Sequence, residues 1–467
     1  MKIIILGAGQ VGASVAKSLV SEKNDITVVD TDVASLRALE VRYDLRTIVG
    51  NAATPSVLAK AGAQDADMLI SVTASDQTNL VACKIAKSIF NLPTRIARLR
   101  TPDYLNNEIL LSEENFAVDF ALCPDEIITH HITRLIEYPG ALQVLEFGEG
   151  QLVMVAMRAS EGGNLTGKPI REIHQHLRGR ADARIVSVFR RHKPLLPKGG
   201  TTIEVDDEIF VLATVEHIRA AMLEICPEMP PVKRIMIAGG GNIGFRAASA
   251  LEKKYEVKLI EIDRERCEYI SGLLPSTLVL NGEATDENLL QQEAVDSMDL
   301  FISLTNDDED NIMTALLAKY LGCKRVIALI NRQAYVNLAQ VGRIDIAVSP
   351  AEATIGALLA KIRRGDVTRV HSLRHGVAEA LEIVAHGNDK TSKVVGRRIA
   401  DIHPVDGASL GGVIRYAEEG NPWSETKVIM GRHDLVIEPN DHVIVFCQNK
   451  AVVKGIERLF SVSLGFL

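Results

Sequence analysis

Aromatic residues are scarce in this 467-residue chain, at 4%, although apolar residues of all kinds make up 47%. Small and branched aliphatic residues must fill the cores, which is typical of parallel sheets covered by helices on both faces. Long apolar runs are also missing. The longest segments without Asp, Glu, Lys or Arg, residues 3–16 and 269–282, contain glycines and are shorter than the ~20 residues that cross a bilayer. We therefore expect a soluble, cytoplasmic protein that reaches any membrane through a partner.

The chain has no basic excess, because 52 Lys and Arg stand against 60 Asp and Glu, which gives a net charge of −8. Nucleic-acid-binding proteins need a basic surface that displaces counterions from phosphates, so no nucleic-acid partner is predicted. The six cysteines never occur at C-x-x-C spacing, which argues against a zinc site or a redox pair. Buried thiols in a reducing compartment are the simpler interpretation.

Catalytic motifs are missing as well. Neither G-x-S-x-G nor the P-loop pattern G-x-x-x-x-G-K-[ST] occurs. His174 and His176 lie two residues apart and lack the i, i+4 spacing of a helical metal pair, while His130 and His131 are adjacent on a predicted helix. We predict neither a catalytic nor a metal site, and therefore no enzyme.

What the chain does contain is a duplication, the first feature to look for in a chain of this length. Residues 7–12 read G-A-G-Q-V-G, and residues 239–244, at an offset of 232, read G-G-G-N-I-G. The same offset aligns 50–79 with 282–311 without a gap, and nine of these 30 positions are identical. Unrelated segments would rarely match so well, so the chain is two copies of one unit.

Each copy has two parts. The first part alternates apolar strands with helices, which predicts a parallel sheet with right-handed crossovers, an α/β domain of the Rossmann type. The second part has alternating apolar residues and turn glycines, which predict a small α+β domain of about 85 residues. Pro227, Pro230 and Pro231 mark the linker between the copies. The predicted domains are 1–123 and 232–349 (Rossmann type) and 140–225 and 368–460 (small α+β).

A helix is predicted between the two parts of each copy. Residues 125–137 and 351–363 carry apolar side chains at helical spacing. Such an apolar stripe either packs on its own chain or forms a dimer face. The sequence leaves both interpretations open.

Each glycine motif lies between an apolar strand and a predicted helix, which is the context of a dinucleotide-binding loop. The first glycine permits a tight turn, the second lets the backbone approach a pyrophosphate, and the third lets helix and strand pack closely. Free N–H groups and the helix dipole then face the phosphates. Asp30 and Glu261 end the second strand of each copy, where a carboxylate accepts hydrogen bonds from ribose hydroxyls and repels a 2′-phosphate. This pattern favours NAD(H) or an adenosine nucleotide over NADP, although a capped turn without a ligand is the alternative.

Residues that follow the fourth and fifth strands are expected to line the same crevice, because ligands of open α/β sheets bind at the carboxyl ends of the strands. Arg98 is predicted to pair with phosphate, whereas its counterpart Leu329 offers no charge. The first site is therefore expected to be the better dinucleotide site. The predicted cofactor-binding residues are Gly7, Ala8, Gly9, Gln10, Val11, Gly12, Asp30, Thr73, Ala74 and Arg98 in the first copy, and Gly239, Gly240, Gly241, Asn242, Ile243, Gly244, Glu261, Thr305 and Asn306 in the second.

The order of these motifs, ending in A-R-x-R-x-P-x-Y at 97–104, resembles the domains that regulate potassium conductance, known as RCK or KTN domains. The small domain, with L-x-G-K-P-I at 165–170, is similar to their C-terminal partner. Two such pairs in one chain resemble the regulatory proteins of bacterial Trk-type potassium uptake systems.

The resemblance implies a homodimer or homotetramer that is peripheral on the cytoplasmic face of the inner membrane. It implies an integral potassium-translocating partner of the TrkH or TrkG type. It also implies NAD(H) as ligand, with ATP or ADP as further candidates, and transport that changes with nucleotide binding. Two other functions remain open from the residues alone: an NAD-dependent oxidoreductase and a Rossmann-based redox sensor.

Overall fold

The chain divides into two compact units, each built from two separate segments. One comprises Met1–His130 and Lys233–Ile355, and the other His131–Val232 and Gly356–Leu467. The computed structural model of the protein describes residues 1–20, 24–177, 182–191, 193–227, 230–332, 334–336, 338, 344–363, 367–373, 377–402, 405–417 and 425–462. The side chains of 174–177, and with them those of His174 and His176, lie outside the described part.

The first Rossmann domain is a six-stranded parallel sheet with the strand order β3-β2-β1-β4-β5-β6. The order reverses between β1 and β4, which opens a crevice at the carboxyl ends of these strands. Its strands are β1 (Lys2–Leu6), β2 (Asp25–Asp30), β3 (Arg46–Val49), β4 (Met68–Ser71), β5 (Thr94–Arg98) and β6 (Phe120–Leu122). Its helices are α1 (Gln10–Val20), α2 (Val33–Glu40), α3 (Pro55–Lys60), α4 (Asp76–Phe90), α5 (Pro102–Leu105) and α6 (Glu108–Leu111).

The second copy repeats this sheet in the order β14-β13-β12-β15-β16-β17. Its strands are β12 (Arg234–Ala238), β13 (Glu256–Glu261), β14 (Thr277–Asn281), β15 (Leu300–Ser303), β16 (Val326–Leu329) and β17 (Ile346–Val348). Its helices are α10 (Asn242–Leu251), α11 (Arg264–Ser271), α12 (Glu287–Gln292) and α13 (Asp308–Tyr320), with a 3-10 turn at Val295–Ser297. Both sheets thus confirm the predicted α/β fold class. The three-residue strands β6 and β17 were not predicted.

Each small domain is a five-stranded antiparallel sheet, in the order β10-β9-β11-β8-β7 in the first copy and β21-β20-β22-β19-β18 in the second. The first contains β7 (Ala141–Phe147), β8 (Leu152–Arg158), β9 (Ala183–Arg190), β10 (Lys193–Leu195) and β11 (Glu208–Thr214), with α8 (Ile170–Leu177), α9 (Ile218–Ile225) and a 3-10 turn at Gly148–Gly150. The second contains β18 (Val367–Leu373), β19 (Ala378–Val384), β20 (Ala408–Arg415), β21 (Lys427–Met430) and β22 (His442–Cys447), with a 3-10 turn at Ile399–Asp401 and the helix α15 (Lys450–Phe460).

The two small domains share one hydrophobic core. Phe147, Phe210 and Leu212 of the first copy lie in the same buried cluster as Ile414 and Phe446 of the second. Alternate residues of β11, Phe210 and Leu212, enter this cluster, because successive side chains of a strand point to opposite faces of the sheet. Neither sheet therefore covers its apolar face by itself.

The predicted connecting helices are α7 (Pro124–Glu137) and α14 (Pro350–Ile362). Ile128, Ile132 and Leu135 of α7 are fully buried, and Leu358 and Ile362 of α14 are at most 3% exposed. Their apolar stripes therefore pack within the single chain, which favours the first of the two interpretations of the sequence. Across the described ranges, none of the helices combines the length and the apolarity that a bilayer crossing requires.

An arginine–aspartate pair recurs at the same corner of each small domain. In the first domain, Arg190 donates from Nε and Nη2 to the buried Asp207 carboxylate over 2.9 and 2.7 Å, and the Glu204 N–H donates to the same group. Arg415 and Asp441 repeat the pair in the second domain at 2.8 and 2.9 Å. Fork-shaped pairs of this kind combine charge with fixed geometry, so they hold the end of β9 or β20 to the turn before β11 or β22.

We predict that Asp207→Ala lowers the free energy of unfolding by about 3 kcal/mol, because it removes the buried acceptor of three hydrogen bonds and leaves the exposed Glu204 as the remaining carboxylate of Arg190. Urea unfolding followed by circular dichroism measures the loss. The control is Glu268→Ala, which breaks a pair whose side chains are 83% and 70% exposed and is expected to cost under about 0.5 kcal/mol. Equal losses in the two variants would contradict the prediction.

Candidate functional site

The two glycine loops have the same backbone geometry. Gly7 and Gly239 adopt positive φ angles of 106° and 101°, which favour glycine. A β-carbon on Gly12 would lie 1.9 Å from the Gly7 carbonyl oxygen, and one on Gly244 the same distance from that of Gly239. The first and third glycines of each motif are thus required by the turn and by the close approach of helix and strand.

The middle glycines differ from these. A β-carbon on Gly9 or Gly241 would meet no atom within 4 Å. Packing inside the chain does not require glycine here, so the absence of a side chain leaves open space over the loop. An open backbone at the start of a helix is the arrangement that binds phosphate.

The two predicted acidic residues hold the glycine loops to the second strand. Asp30 accepts a hydrogen bond from the Ala8 N–H at 2.5 Å through one oxygen and from the Asp32 N–H at 2.9 Å through the other. Glu261 repeats both contacts with Gly240 at 2.6 Å and Asp263 at 2.9 Å. The carboxylates therefore fix the shape of the loops within the chain, and a carboxylate oxygen can still accept a second hydrogen bond.

A buried asparagine orders the loop after the fourth strand in each copy. The Asn79 amide oxygen accepts from the Ser71 hydroxyl at 2.9 Å, from the Thr73 N–H at 3.0 Å and from the Thr73 hydroxyl at 2.7 Å. Its amide nitrogen donates to the carbonyl oxygens of Thr73 at 3.3 Å and Arg98 at 2.8 Å. One side chain thereby joins the ends of β4 and β5 on which Thr73 and Arg98 stand.

Asn311 makes the same five contacts in the second copy, with Ser303, Thr305 and the carbonyl oxygen of Leu329. In the sequence these asparagines are only identical positions of the repeated segments 50–79 and 282–311, and no role was predicted for them. The signal was the pattern D-x-x-N at 76–79 and 308–311, in the first turn of the helix that follows the fourth strand.

The aspartate of the same motif fixes the next loop. Asp76 accepts from the N–H groups of Arg100 at 3.0 Å and Thr101 at 2.9 Å. Asp308 does the same for Asn331 and Arg332, each at 2.8 Å. In each copy, the loops after the fourth and the fifth strand are thus held by side chains of one helix, which is α4 in the first copy and α13 in the second.

The glycine loops of the two copies open into one cavity of about 780 Å³ inside the first unit. Its wall includes the predicted residues Gly7, Gly9, Gln10, Val11, Asp30, Thr73, Ala74, Arg98, Gly241, Asn242, Ile243, Thr305 and Asn306. The other predicted residues, Ala8, Gly12, Gly239, Gly240, Gly244 and Glu261, are not part of this wall. The sequence did not predict that both copies share one space, nor that Asn51, Arg100, Asp125 and Asn331 line it.

Arg98 is the most unusual side chain of this wall. It is half-buried, and its Nε atom is buried without a hydrogen-bond partner. Burial, and after it the neighbouring Arg100, lowers the pKa of Arg98, while Asp125 and Asp76 oppose the shift. A buried donor without a partner is costly, and the guanidinium to which it belongs is part of a side chain on the cavity wall, where an anion can pair with its charge.

The second copy has no equivalent charge at this place. Leu329 is 3% exposed and replaces Arg98, and Asn331 replaces Arg100. The exposed Arg332, one residue further along the chain, donates to Glu309 at 2.6 Å and to the Tyr335 hydroxyl at 3.1 Å. It does not belong to the cavity wall.

Comparison with known proteins identifies the family. The TrkA-N domain model matches residues 3–118 and 235–350, and the TrkA-C domain model matches residues 154–225. The chain is 48% identical over 466 residues to the Trk system potassium uptake protein TrkA of Halomonas elongata, with both chains covered in full. The chain belongs to the TrkA family. TrkA proteins of Vibrio alginolyticus and Haemophilus influenzae, also covered in full, are 48% and 47% identical.

Solved structures agree with the fold of this TrkA-family chain. The crystal structure of the GsuK RCK domain matches this chain with a TM-score of 0.62 at 21% identity. The match covers 98% of this chain and 94% of the GsuK RCK domain chain. The GsuK channel bound to NAD matches with a TM-score of 0.60 at 20% identity, and this match covers 98% of this chain and 78% of the channel chain. The family places the chain among potassium-uptake proteins and not among dehydrogenases, which confirms the predicted resemblance.

We predict that Asn79→Ala lowers the free energy of unfolding by about 2–5 kcal/mol, because it leaves the Ser71 hydroxyl, the Thr73 N–H and the Arg98 carbonyl without their partner. Chemical denaturation measures the change. Gln77→Ala, at an exposed position of the same helix, is the control and should change stability by under about 0.5 kcal/mol. A loss no larger than that of the control would show that the asparagine does not hold the strand ends.

Proposed function

We propose that this chain is the cytoplasmic, nucleotide-sensing regulatory subunit of a Trk-type potassium uptake system. It binds NAD(H) and controls potassium flow through an integral membrane partner of the TrkH or TrkG type. The observation that carries the proposal is Arg98, a half-buried guanidinium with an unpartnered Nε, on the wall of a cavity that both glycine loops enter.

The residues of the first copy fit a dinucleotide. A pyrophosphate bound over the open backbone at Gly9 would meet the N-terminal end of α1, where N–H groups and the helix dipole favour negative charge. Arg98 supplies the opposite charge, and guanidinium groups bind phosphate oxygens with paired donors. Asp30 lies on the wall where a ribose hydroxyl can donate to it, and a 2′-phosphate at this point would be repelled. ATP and ADP share the adenosine part and remain candidate ligands of the same loop.

Regulation follows if the ligand binds two conformations of the protein with different affinity, because only that difference can shift their populations. The helices α7 and α14 both begin at the cavity, since Pro124, Asp125 and Pro350 belong to its wall. A ligand that contacts these residues acts on the first turn of the two segments that lead into the small domains. We propose that ligand binding in the cavity is transmitted to the small domains through the first turns of α7 and α14.

The partner and the assembly are proposed from the relatives and from the surface. The full-length relatives are named for potassium uptake, and the GsuK channel carries an RCK domain of this fold. Large apolar side chains are exposed on the outer faces of equivalent helices, with Met313 at 61% and Tyr320 at 75% on α13 and Ile89 at 58% on α4. Met313 and Tyr320 lie seven residues apart and therefore on one face of α13, and contiguous exposed apolar surface marks interaction sites, which supports a homodimer or homotetramer.

We expect Arg98→Leu to weaken NADH binding about tenfold to a hundredfold, because a charge-assisted hydrogen bond to phosphate is lost. Fluorescence titration with NADH measures the affinity. Arg171→Leu removes an exposed arginine of the small domain and should leave the affinity unchanged. If Arg98→Leu binds NADH as tightly as the unmodified protein, the glycine loop and the carboxylate alone set the affinity.

We further expect the protein to sediment with vesicles that contain a Trk-type potassium subunit and to stay in the supernatant with protein-free liposomes. In the same vesicles NADH should alter potassium flux, and Asp30→Ala should reduce this response while the variant still sediments. Potassium flux, followed with a potassium-sensitive dye, and sedimentation are measured on the same vesicles. Equal sedimentation with protein-free liposomes would argue against a protein partner, and an undiminished response of Asp30→Ala would argue against the nucleotide site.

A further inference from the structure

We infer that the two nucleotide loops of one chain compete for a single pair of arginines, Arg98 and Arg100, so that occupation of the first loop weakens binding at the second. The inference rests on the proposed function, because it assumes that the loops bind dinucleotide phosphates. It adds a coupling between the two loops that follows from the shape and charge of the cavity.

The first argument is the shared space. Gly9 and Gln10 of the first loop and Gly241 and Asn242 of the second line the same cavity. Its volume of about 780 Å³ falls within the ~300–1,000 Å³ of clefts that enclose one drug-sized ligand. Two dinucleotides would bring two pyrophosphates into this space, and like charges at short distance in a partly dry site oppose each other.

The second argument is the distribution of positive charge. Among the described residues that line the cavity, Arg98 and Arg100 are the basic side chains, and both belong to the first copy. Leu329 and Asn331 stand at the equivalent places of the second copy and line the same wall. A phosphate over the second loop can therefore pair with a basic side chain of this wall only if that side chain comes from the first copy.

The third argument is that Arg266 and Arg332 of the second copy are already engaged. Arg266 donates through Nε to the carbonyl oxygen of Gly240 at 2.8 Å, and its guanidinium lies 5.9 Å from the ring centre of Phe245 and 5.4 Å from that of Tyr269. Arg332 is held by Glu309, as described above. Neither side chain belongs to the cavity wall, so neither replaces Arg98.

The fourth argument is that Arg98 is not held by its own domain. Its Nε has no hydrogen-bond partner, whereas its backbone carbonyl is fixed by Asn79 at 2.8 Å. The backbone of Arg100 is likewise fixed by Asp76. Both guanidinium groups thus stand on fixed backbone in the wall that the two loops share, and together they can neutralise only one pyrophosphate at a time.

The test measures NADH binding to the second loop with the first loop present or disabled. The variants are Asp30→Ala, Asp30→Ala with Arg98→Leu, Asp30→Ala with Arg171→Leu as the matched control, and Asp30→Ala with Glu261→Ala to define the absence of both sites. Calorimetric titration of the full-length protein gives affinity and stoichiometry. Circular dichroism melting of each variant shows that it is folded.

The unmodified protein should bind one NADH tightly per chain and a second at least about tenfold more weakly. In Asp30→Ala the second loop should bind NADH about tenfold or more tightly than that weak phase, because the arginines are released to it. Adding Arg98→Leu should then weaken this binding about tenfold to a hundredfold, whereas adding Arg171→Leu should leave it unchanged.

The inference is overturned if disabling the first loop leaves the second-loop affinity unchanged or abolishes binding, or if Arg98→Leu has no effect in the Asp30→Ala background. Two equal NADH sites in the unmodified protein would also overturn it while leaving the proposed function intact. Absence of NADH binding to the unmodified protein would instead overturn the proposed function, and the inference with it.

Discussion

The hydrogen bonds of one buried amide side chain in each copy hold the site together. Asn79 and Asn311 each use both ends of the amide to satisfy two hydroxyls, an N–H and two carbonyl groups at the ends of neighbouring strands. These groups have no sheet partner, because the strands stop there, and burying them unpaired would be costly. The open edge of the sheet is therefore held in one arrangement, which a ligand site needs.

The two copies share the same rigid loop structure, but they differ in the charges that they present to the cavity. The turns, the carboxylate contacts and the amide contacts are repeated almost atom for atom in the two copies, whereas Arg98 and Arg100 are replaced by Leu329 and Asn331. Duplication thus kept the groups that shape the crevice and changed those that face its contents. This is the pattern expected when two similar folds are used for unequal tasks, because folding depends on the former and ligand affinity on the latter.

Local patterns predicted most of the fold and part of the site. The glycine motifs, the carboxylates at the ends of β2 and β13 and the alternation of strand and helix could be predicted, because each is determined within a short window of sequence. The strands β6 and β17 were missed, since three residues carry too little periodicity to be distinguished from a loop. The single cavity depends on contacts between the two copies, which no local pattern encodes, and the repeated D-x-x-N pattern does not reveal which strand ends and loops Asn79 and Asp76 bind.

Each unit is built from two segments that are far apart in the sequence, and this affects how the protein folds during its synthesis. Each unit combines a segment from the first copy with one from the second, and residues 131–232 are made before Lys233–Ile355. The first antiparallel sheet therefore leaves the ribosome with the face around Phe147 and Leu212 uncovered, and its covering residues Ile414 and Phe446 follow some two hundred positions later. At roughly 5–20 residues per second this sheet waits on the order of ten seconds or more for its other half. During that interval the nascent chain must be protected from pairing with a neighbour.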